Sequence, residues 1–263
     1  MNESRPAAII TGGSSGIGPA LARELGRSGY RIGLLARRPD ELGKRVGELV
    51  AAGVEAHSFV CDVTSPEQVH AAVEDARKSL GNIDLAIANA GLGFPTPAKR
   101  FVLADAERIM RTNFYGTLTL FDAVLPDMIA RHSGTFVGVA SLAGKRGLPG
   151  SSIYSASKAA MQAFLEASRV ELKRSGVKVI VVNPGFIDTP MTEKNRFHMP
   201  FLMTPERAAR IIVRRILKGD SEISFPLPMN LLMKAVRQFP NRFYDWALSG
   251  YAKRDIDVTK ARR

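Results

Sequence analysis

Short apolar runs alternate with longer amphipathic segments over the first two-thirds of the chain. Each short run is hydrophobic on both faces, as strands are in a parallel sheet that helices cover on both sides. The longer segments carry apolar residues at the spacing of helices packed on such a sheet. The pattern predicts strands over residues 6–11, 31–36, 56–60, 84–88, 134–140, 177–182 and 222–225, and helices over residues 16–28, 39–52, 66–80, 105–131 and 153–175.

This alternation predicts an α/β fold with a doubly wound parallel sheet, that is, a Rossmann fold. No linker rich in Pro, Gly or Ser divides the chain, so residues 1–263 are expected to form a single domain. After Pro184 the alternation ends. Residues 186–220, an apolar stretch and then a helix with Thr204 as its N-cap, predict a substrate lid. Residues 226–263 predict a C-terminal helical extension.

Cys61 is the only cysteine in the chain, which excludes an internal disulfide and favours a reducing compartment. It ends a predicted strand with no basic residue nearby in sequence, which is typical of a packed thiol rather than a nucleophile. The first residues lack the apolar run of a secretory signal, and no stretch approaches the roughly 20 apolar residues of a membrane-spanning helix. The sequence thus predicts a cytoplasmic protein. Metal-ligand spacing is also absent, so no metal is expected.

The chain is basic, with a formal net charge of +12. Residues 205–263 carry thirteen basic and six acidic residues, and so contribute +7 of it. Nucleic-acid binding is not predicted, because no basic run is interleaved with aromatic residues that stack on bases. Residues 229–239 combine apolar positions at helical spacing with Lys234 and Arg237. Three alternatives remain for them: peripheral contact with an anionic membrane surface, a cover for the active site, or a subunit interface.

A glycine-rich loop directly follows the first predicted strand and precedes a predicted helix. Glycine permits the tight turn and the close approach of backbone to a pyrophosphate, and the free N–H groups of the helix attract that charge. Pro19 is tolerated in the first helical turn, since its missing N–H would have no partner there. The strand before and the helix after favour a nucleotide site over an ordinary surface loop. The loop residues expected to contact the phosphates are Gly12, Ser14, Ser15, Gly16, Ile17 and Gly18.

The end of the second predicted strand indicates which nucleotide is bound. NAD-binding proteins place an acidic residue there for the ribose hydroxyls. This chain has Ala36, Arg37 and Arg38 instead, and a guanidinium group matches a 2′-phosphate that a carboxylate would repel. We therefore predict NADP(H), with Arg37 as the principal contact and Arg38 as the second. The alternative is that both arginines only begin the next helix.

Tyr154 and Lys158 lie four residues apart on a predicted helix, and so share one face of it. A free tyrosine has a pKa of about 10, and acid/base work near neutral pH requires a pKa lowered to about 7. An adjacent ammonium favours the phenolate, as does the positive charge of an oxidised nicotinamide. Ser141, which ends a predicted strand, is positioned in sequence to hydrogen-bond the reacting oxygen. A Tyr–Lys pair alone is common, so its meaning depends on the other motifs.

The motifs occur in a fixed order: the glycine loop of residues 11–18, Cys61-Asp62-Val63, Asn89-Ala90-Gly91, Asn113, Ser141, the Tyr154–Lys158 pair and Pro184-Gly185. This series resembles the short-chain dehydrogenase/reductase family over about residues 6–190. Several independent motifs agree in type and spacing, which makes the resemblance highly specific.

The resemblance implies roles for individual residues. Tyr154 is then the general acid/base, and Lys158 lowers its pKa and holds the nicotinamide ribose. Ser141 polarises the substrate oxygen, and Asn113 positions a water in a proton relay. The further nucleotide contacts that it implies are Asp62 and Val63 at the adenine, Asn89, Ala90 and Gly91 near the adenosine ribose, and Pro184, Gly185, Ile187 and Thr189 towards the nicotinamide. It also implies a homodimer or homotetramer, formed through the helices near residues 105–131 and 152–175.

Simpler roles remain open for two of these motifs. Residues 89–91 have the composition of an ordinary turn after a strand. Asn113, in the middle of a long predicted helix, is equally consistent with a residue that stabilises a kink.

The predicted function is therefore an NADP(H)-dependent oxidoreductase that interconverts a carbonyl and an alcohol. The alternative is a catalytically silent nucleotide-binding regulatory protein, associated with membrane surfaces. A Rossmann-like methyltransferase is disfavoured because it would need an acidic residue where Ala36 and Arg37 stand. A hydrophobic substrate is favoured by apolar candidates in and near the lid, unless these only pack the lid onto the body: Leu92, Phe94, Leu148, Phe186, Met191, Phe197, Met199, Phe201 and Met203.

Overall fold

A computed structural model describes residues 5–193 and 198–252 of the chain. The predictions for residues 1–4, for residues 194–197 of the lid, which include Phe197, and for residues 253–263 of the extension lie outside the described residues. Seven strands form one parallel sheet in the order β3-β2-β1-β4-β5-β6-β7. The strands are β1 Ala7–Thr11, β2 Arg31–Ala36, β3 Ala56–Val60, β4 Leu85–Ala88, β5 Gly134–Val139, β6 Val177–Pro184 and β7 Glu222–Phe225.

All seven predicted strands are present, and the doubly wound parallel sheet is confirmed. The central strands β1, β4 and β5 are mostly apolar and buried, because helices cover both faces of the sheet there. The helices of the described residues are α1 Gly18–Arg27, α2 Pro39–Ala51, α3 Pro66–Leu80, α4 Leu103–Met110, α5 Gly116–Ala130, α6 Ser152–Glu171, α7 Pro205–Lys218, α8 Leu227–Gln238 and α9 Asn241–Ala252.

The core has two layers, one on each face of the sheet. Buried residues of α1, α2 and α7 pack on one face, and those of α3, α5 and α6 pack on the other. Strand residues alternate between the layers, since Ile10 lies in the first and Ile9 in the second. This arrangement brings the carboxyl ends of all the strands to one edge of the sheet, where open parallel sheets bind ligands.

The prediction of one continuous helix over residues 105–131 is wrong for the middle of that range. A π-helical turn, Arg111–Tyr115, separates α4 from α5. Such a turn accommodates one extra residue in the helix and is often found at functional sites. Residues 111–115 contain neither Gly nor Pro, so the apolar spacing of the sequence gives no sign that the α-helix is interrupted there.

The lid predicted over residues 186–220 divides into two parts. Its helix, α7, has the predicted N-cap, with Thr204 Oγ1 accepting a hydrogen bond from the Arg207 N–H (3.3 Å). Its apolar residues at helical spacing face the core: Ala208, Ile212 and Ile216 are buried, and Ile211 is partly buried against them. Only the stretch before α7 is therefore free to cover the site. Its base is closed by a parallel bridge between Ile187 and Met203.

The C-terminal extension begins with α8, which packs on β7 and on the short 3₁₀ helix Leu142–Lys145. Arg146, directly after that 3₁₀ helix, holds the end of α8. Its Nη1 donates hydrogen bonds to the carbonyls of Val236 (2.6 Å) and Phe239 (2.9 Å). The guanidinium also lies 4.0 Å from the centroid of the Tyr244 ring in α9. In the described part of the chain, no helix is both long and apolar enough to cross a membrane.

Candidate active site

The glycine loop turns sharply between β1 and α1. Gly12 has a φ of +69°, and a Cβ atom on it would lie 2.9 Å from the Cα of Ala90. A Cβ atom on Gly18 would lie 2.3 Å from the carbonyl oxygen of Gly12. Both positions therefore require glycine, one for its conformation and both for the close approach of backbone. Pro19 lies in the first turn of α1, as predicted.

The loop is joined to the end of β4. Thr11 Oγ1 accepts hydrogen bonds from the N–H groups of Asn89 (3.0 Å) and Ala90 (3.1 Å), and Asn89 Nδ2 donates to the Thr11 carbonyl (3.0 Å). Asn89-Ala90-Gly91 has no regular secondary structure, and these hydrogen bonds attach it to the start of the glycine loop.

This loop fits the diphosphate of a dinucleotide. The space beside Gly12 and Gly18 is too narrow for side chains, and the first turn of α1 directs its N–H groups towards the loop. A Cβ atom on Gly16 would meet only the Thr189 side chain, at 3.8 Å. Thr189 therefore lies next to Gly16 of the loop.

The two arginines after β2 lie in different surroundings. Arg38 Nη2 donates a hydrogen bond to Ser14 Oγ in the glycine loop (3.2 Å). The Arg37 side chain is 69% exposed and lies 3.8 Å from Asp62 Oδ2, after β3. Arg38 directly precedes α2, so its backbone begins that helix, as the alternative interpretation expected. Its side chain nevertheless reaches the glycine loop. Asp62 is fixed by hydrogen bonds from the Thr64 N–H and hydroxyl, and Val63 is buried.

Ser141, Tyr154 and Lys158 meet at the end of β5. Lys158 is 3% exposed and donates a hydrogen bond to the Val139 carbonyl (2.8 Å). Its Nζ lies 5.8 Å from the centroid of the Tyr154 ring. The Ser141 side chain lowers the pKa of the Tyr154 hydroxyl, and its Oγ accepts a hydrogen bond from the Ala143 N–H (3.1 Å). The structure therefore brings the three predicted residues together at one site.

The expected lowering of the Tyr154 pKa, which depends on Lys158 and on a bound oxidised nicotinamide, stays a prediction. Burial raises the pKa of Tyr154, and the hydrogen bond with Ser141 offsets only part of that rise. Burial also lowers the pKa of Lys158 to about 7, so its ammonium is less available to stabilise a phenolate. Desolvation is thus the largest influence on the pKa of both groups.

Asn113, in the π-helical turn, is fully buried. Its Oδ1 accepts a hydrogen bond from the Leu92 N–H (2.7 Å), and its Nδ2 donates to the Leu92 carbonyl (2.9 Å) and to Ser157 Oγ (3.0 Å). These bonds connect the loop after β4 to α6. They favour the structural alternative for the side chain, and the water relay stays a prediction.

The predicted residues after β6 line the opposite side of the site. The Gly185 N–H donates to the Phe225 carbonyl (2.7 Å), and Ile187 is buried. Thr192 Oγ1 donates to the Ile187 carbonyl (2.6 Å) and accepts from the Thr189 N–H (3.0 Å). This turn orients Thr189 towards the glycine loop.

Apolar lid residues reach the tyrosine. A Cβ atom on Gly93 would lie 3.1 Å from the Tyr154 ring and 3.2 Å from Met191 Sδ, so these three residues are neighbours. Phe94 and Met203 are buried, whereas Met191 is 38% and Phe201 is 55% exposed. The candidates therefore divide between residues that pack the lid onto the body and residues that remain accessible.

Sequence reasoning missed Gln162 and Arg146. Gln162 is bonded to the Ser141 carbonyl, and Arg146 holds the extension. Neither belongs to a motif, and their partners lie 21 to 95 residues away in the chain, so no local pattern indicates these contacts.

Comparison with known proteins agrees with this geometry. Residues 6–199 match the short chain dehydrogenase family. An uncharacterised oxidoreductase of Myxococcus xanthus is 40% identical over 91% of this chain and 95% of its own length. The ketoacyl reductase HetN of Nostoc sp. is 34% identical over 90% of this chain and 88% of its own length.

Two solved structures have the same fold. Actinorhodin polyketide ketoreductase with NADPH has a TM-score of 0.77 and 28% identity, over 84% of this chain and 95% of that one. L-sorbose reductase from Gluconobacter frateurii with NADPH and L-sorbose has a TM-score of 0.76 and 28% identity, over 85% of this chain and 95% of that one. The chain is therefore an oxidoreductase that belongs to the short-chain dehydrogenase/reductase family, whose members bind a nicotinamide cofactor.

Proposed function

We propose that this protein uses NADP(H) to interconvert a carbonyl and an alcohol on a hydrophobic substrate. The observation that carries the proposal is the contact of Ser141 and Tyr154 beside the buried Lys158, at the strand ends where the glycine loop lies. A tyrosine hydroxyl at such a position is suited to move one proton to or from a substrate oxygen.

In the reducing direction, the Tyr154 hydroxyl donates its proton to the carbonyl oxygen, and the O–H bond of the product alcohol forms. When bound, NADPH supplies the hydride for the carbonyl carbon. Ser141 donates a hydrogen bond to the same oxygen and stabilises the negative charge that develops on it. Tyr154 is then a phenolate and recovers a proton from solvent. In the oxidising direction, the phenolate removes the proton of the alcohol.

Lys158 holds the nucleotide ribose in this proposal and supplies positive charge near the phenolate. Its hydrogen bond to the Val139 carbonyl fixes the ammonium at the end of β5. With a pKa of about 7, only part of the Lys158 population is protonated at neutral pH. An anionic phenolate nearby would raise this pKa again, so the two groups assist each other once Tyr154 ionises.

The choice of NADP(H) rests on Arg37 and Arg38, with no acidic side chain at the end of β2. The hydrogen bond from Arg38 to Ser14 places one guanidinium against the glycine loop. NADPH in both of the solved structures named above supports the same choice. We retain Arg37 as the principal 2′-phosphate contact, because its exposed side chain is held only by the long contact with Asp62.

The hydrophobic substrate is supported by the lid. Met191, an accessible apolar residue, neighbours Tyr154 across Gly93. The name of the ketoacyl reductase relative supports a carbonyl compound with an acyl chain as the first class to test. The cytoplasmic location and the homodimer or homotetramer remain predictions.

The test is a kinetic comparison of NADPH and NADH with 3-ketoacyl thioesters, ketones and sugars as substrates. We expect higher kcat/KM with NADPH, and a preference for apolar carbonyl compounds. Arg37→Ala should raise the Kd for NADPH by about 10-fold or more, because one charged hydrogen bond to the 2′-phosphate is lost. The Kd for NADH should stay unchanged.

Tyr154→Phe should lower kcat by at least about 100-fold while nucleotide binding persists. Equal kcat/KM for NADH and NADPH would contradict the cofactor assignment. Turnover by the phenylalanine variant at the wild-type rate would contradict the mechanism. Nucleotide binding without turnover of any carbonyl substrate would favour the silent regulatory protein.

We also propose that α8 and α9 contact an anionic membrane surface. Trp246 is 78% exposed, and the other large apolar residues exposed on these helices and between them are Leu227, Leu231, Leu232, Phe239 and Phe243. Basic residues lie among them at Lys234, Arg237 and Arg242. Exposed Trp and Leu beside basic residues match the interface between anionic head groups and acyl chains, which favours a lipid surface over an acidic protein.

A further inference from the structure

A chain of polar side chains lies behind the active site, on the side away from the glycine loop. It begins at Glu222 and Ser224 on the edge strand β7, passes through Asn183 on β6 and Gln162 on α6, and ends at the backbone of Ser141. All of these contacts are hydrogen bonds between 2.7 and 3.3 Å. The question is what this chain does for the residue at its end.

Gln162 uses both hydrogens of its side-chain amide in this chain. Nε2 donates one hydrogen bond to the Ser141 carbonyl (2.7 Å) and one to Asn183 Oδ1 (2.8 Å). Lys158 lies four residues earlier, one turn away on the same helix. The helix that carries Tyr154 and Lys158 therefore also holds the peptide of Ser141, so all three groups are positioned by one rigid element.

The fold makes room for this amide. Gly144 lies in the 3₁₀ helix after Ser141, and a Cβ atom on it would lie 2.7 Å from Gln162 Nε2. The same Cβ atom would lie 2.8 Å from the carbonyl carbon of Lys158 and 2.9 Å from the Ala159 nitrogen. A glycine at this position lets the Ser141 segment rest directly on α6, with the glutamine amide between them.

The other end of the chain is equally well fixed. Asn183 is 2% exposed, and its Nδ2 donates to Ser224 Oγ (3.2 Å) and Glu222 Oε1 (3.3 Å). Lys145 Nζ donates to the same Glu222 oxygen (3.2 Å). Ser141 is the N-cap of the 3₁₀ helix and Lys145 is its last residue. The hydrogen bonds of this polar chain therefore hold the segment at both ends.

The geometry points to Gln162 as a positioning residue for the Ser141 hydroxyl, a role that rests on the proposed function of Ser141. The Ser141 carbonyl receives its hydrogen bonds from Gln162 and from the Gly144 N–H (3.0 Å). Loss of the first bond frees one side of the Ser141 peptide. The hydroxyl then points less accurately at Tyr154 and at the substrate oxygen, and displacements of about 1 Å cost rate steeply.

Gln162→Leu tests the role because leucine keeps the volume and removes both N–H groups. We expect kcat to fall by about 10-fold or more, with the Kd for NADPH within about 2-fold of the wild type. The apparent pKa for alcohol oxidation should rise as well, because the Ser141 hydrogen bond that favours the phenolate weakens. Gln238→Leu is the matched control: Gln238 lines the same surface cleft of about 610 Å³ as Gln162 and takes no part in the chain of bonds.

A double-variant cycle separates this inference from the proposed function. If Gln162 acts through Ser141, then Gln162→Leu should have no further effect on kcat in a Ser141→Ala background. Independent, multiplicative losses would overturn the inference and leave the role of Ser141 intact. Unchanged activity in Ser141→Ala alone would overturn the proposed function and the inference together.

Gln162→Asn provides a second route if the leucine variant does not fold. It keeps an amide on a side chain one carbon shorter, which is too short to bond both partners at their present distances. It should show the same fall in kcat with intact NADPH binding. Wild-type kcat and an unshifted pH profile in a folded Gln162→Asn variant would overturn the inference.

Discussion

The ionisation of Tyr154 decides when this site is able to take a proton. Burial holds the pKa of the phenol above its ordinary value of 10.0, and the Ser141 hydroxyl pulls it in the opposite direction. A raised pKa keeps the neutral phenol dominant at neutral pH, which suits proton donation in the reducing direction. Alcohol oxidation needs the phenolate, so its rate should rise with pH until that ionisation is complete.

We therefore expect the phenolate absorbance of Tyr154 to appear only above pH 10 in the protein without nucleotide. Added NADP⁺ should move that transition to lower pH, because positive charge close to the ring favours the phenolate. The measurement is an absorbance titration of the wild type minus the same titration of Tyr154→Phe. A transition below pH 10 in the nucleotide-free protein would contradict the balance of burial and hydrogen bonding described above.

The reacting residues were predictable mainly through the resemblance to the family, because a tyrosine and a lysine at helical spacing are common on their own. Tyr154 and Lys158 share a helix face, and Ser141 follows β5 directly. Their pKa values were not predictable, since burial at the bottom of a folded site has no local sequence signal. The same holds for Arg38 and Ser14, whose hydrogen bond joins residues 24 positions apart.

Cys61 shows a case where the sequence was sufficient. It follows β3 and is 1% exposed. Burial and the nearby Asp62 raise the pKa of its thiol to about 11, so the reactive thiolate is scarce at neutral pH. The prediction of a packed thiol is confirmed.

Among the elements, the turn from β1 into α1 has little tolerance for added volume. In Gly18→Ala the new Cβ atom would meet backbone atoms of Gly12 and Gly13, which cannot rotate away as a side chain does. We expect a loss of about 1–3 kcal/mol in the free energy of unfolding, and NADPH binding weakened by more than 10-fold because the loop must open.

Gly43→Ala in α2 is the control for that experiment. No atom lies within 4 Å of its Cβ position, and alanine favours helix over glycine by about 0.5–1 kcal/mol. Denaturant unfolding and calorimetric titration with NADPH measure the two effects. Wild-type affinity in a folded Gly18→Ala variant would mean that the loop does not hold the phosphates.

Most elements were predictable because the periodicity of the sequence differs between strands and helices. The π-helical turn at Arg111–Tyr115 was not, because its cause lies in another part of the chain. Asn113 turns its amide towards the backbone of Leu92, and this contact joins the extra residue of the turn to the loop after β4. A helix-spacing argument contains no information about such a partner.

At the level of the whole molecule, charge and exposed apolar area are unevenly distributed. Residues 205–263 supply +7 of the net charge of +12, and α8 and α9 expose tryptophan and leucine. The sequence indicated the amphipathic character of this region. It did not indicate which apolar residues face solvent, because that depends on how α8 packs on β7.

We expect the protein to sediment with vesicles that contain phosphatidylglycerol, and much less with vesicles of phosphatidylcholine alone. The double variant Leu232→Ala, Trp246→Ala should reduce binding to the anionic vesicles by about 10-fold, since both side chains lose their contact with acyl chains. Leu217→Ala, which alters a 52% exposed leucine on α7, is the matched control. Equal sedimentation of the double variant and the wild type would exclude α8 and α9 as the contact surface.

Arg146 has a consequence for the design of chimeras. This single side chain bonds the carbonyls that end α8 and the Oδ1 atom of Asn241, and Tyr244 donates in return to the Gly147 carbonyl (2.5 Å). If the last helices of another reductase were grafted onto this core, the hydrogen bonds of Arg146 and Tyr244 would be lost. They would form again only if the grafted helix ended with carbonyl groups at the same place. A graft of the last helices therefore has to include residues 146–147 together with residues 226–252.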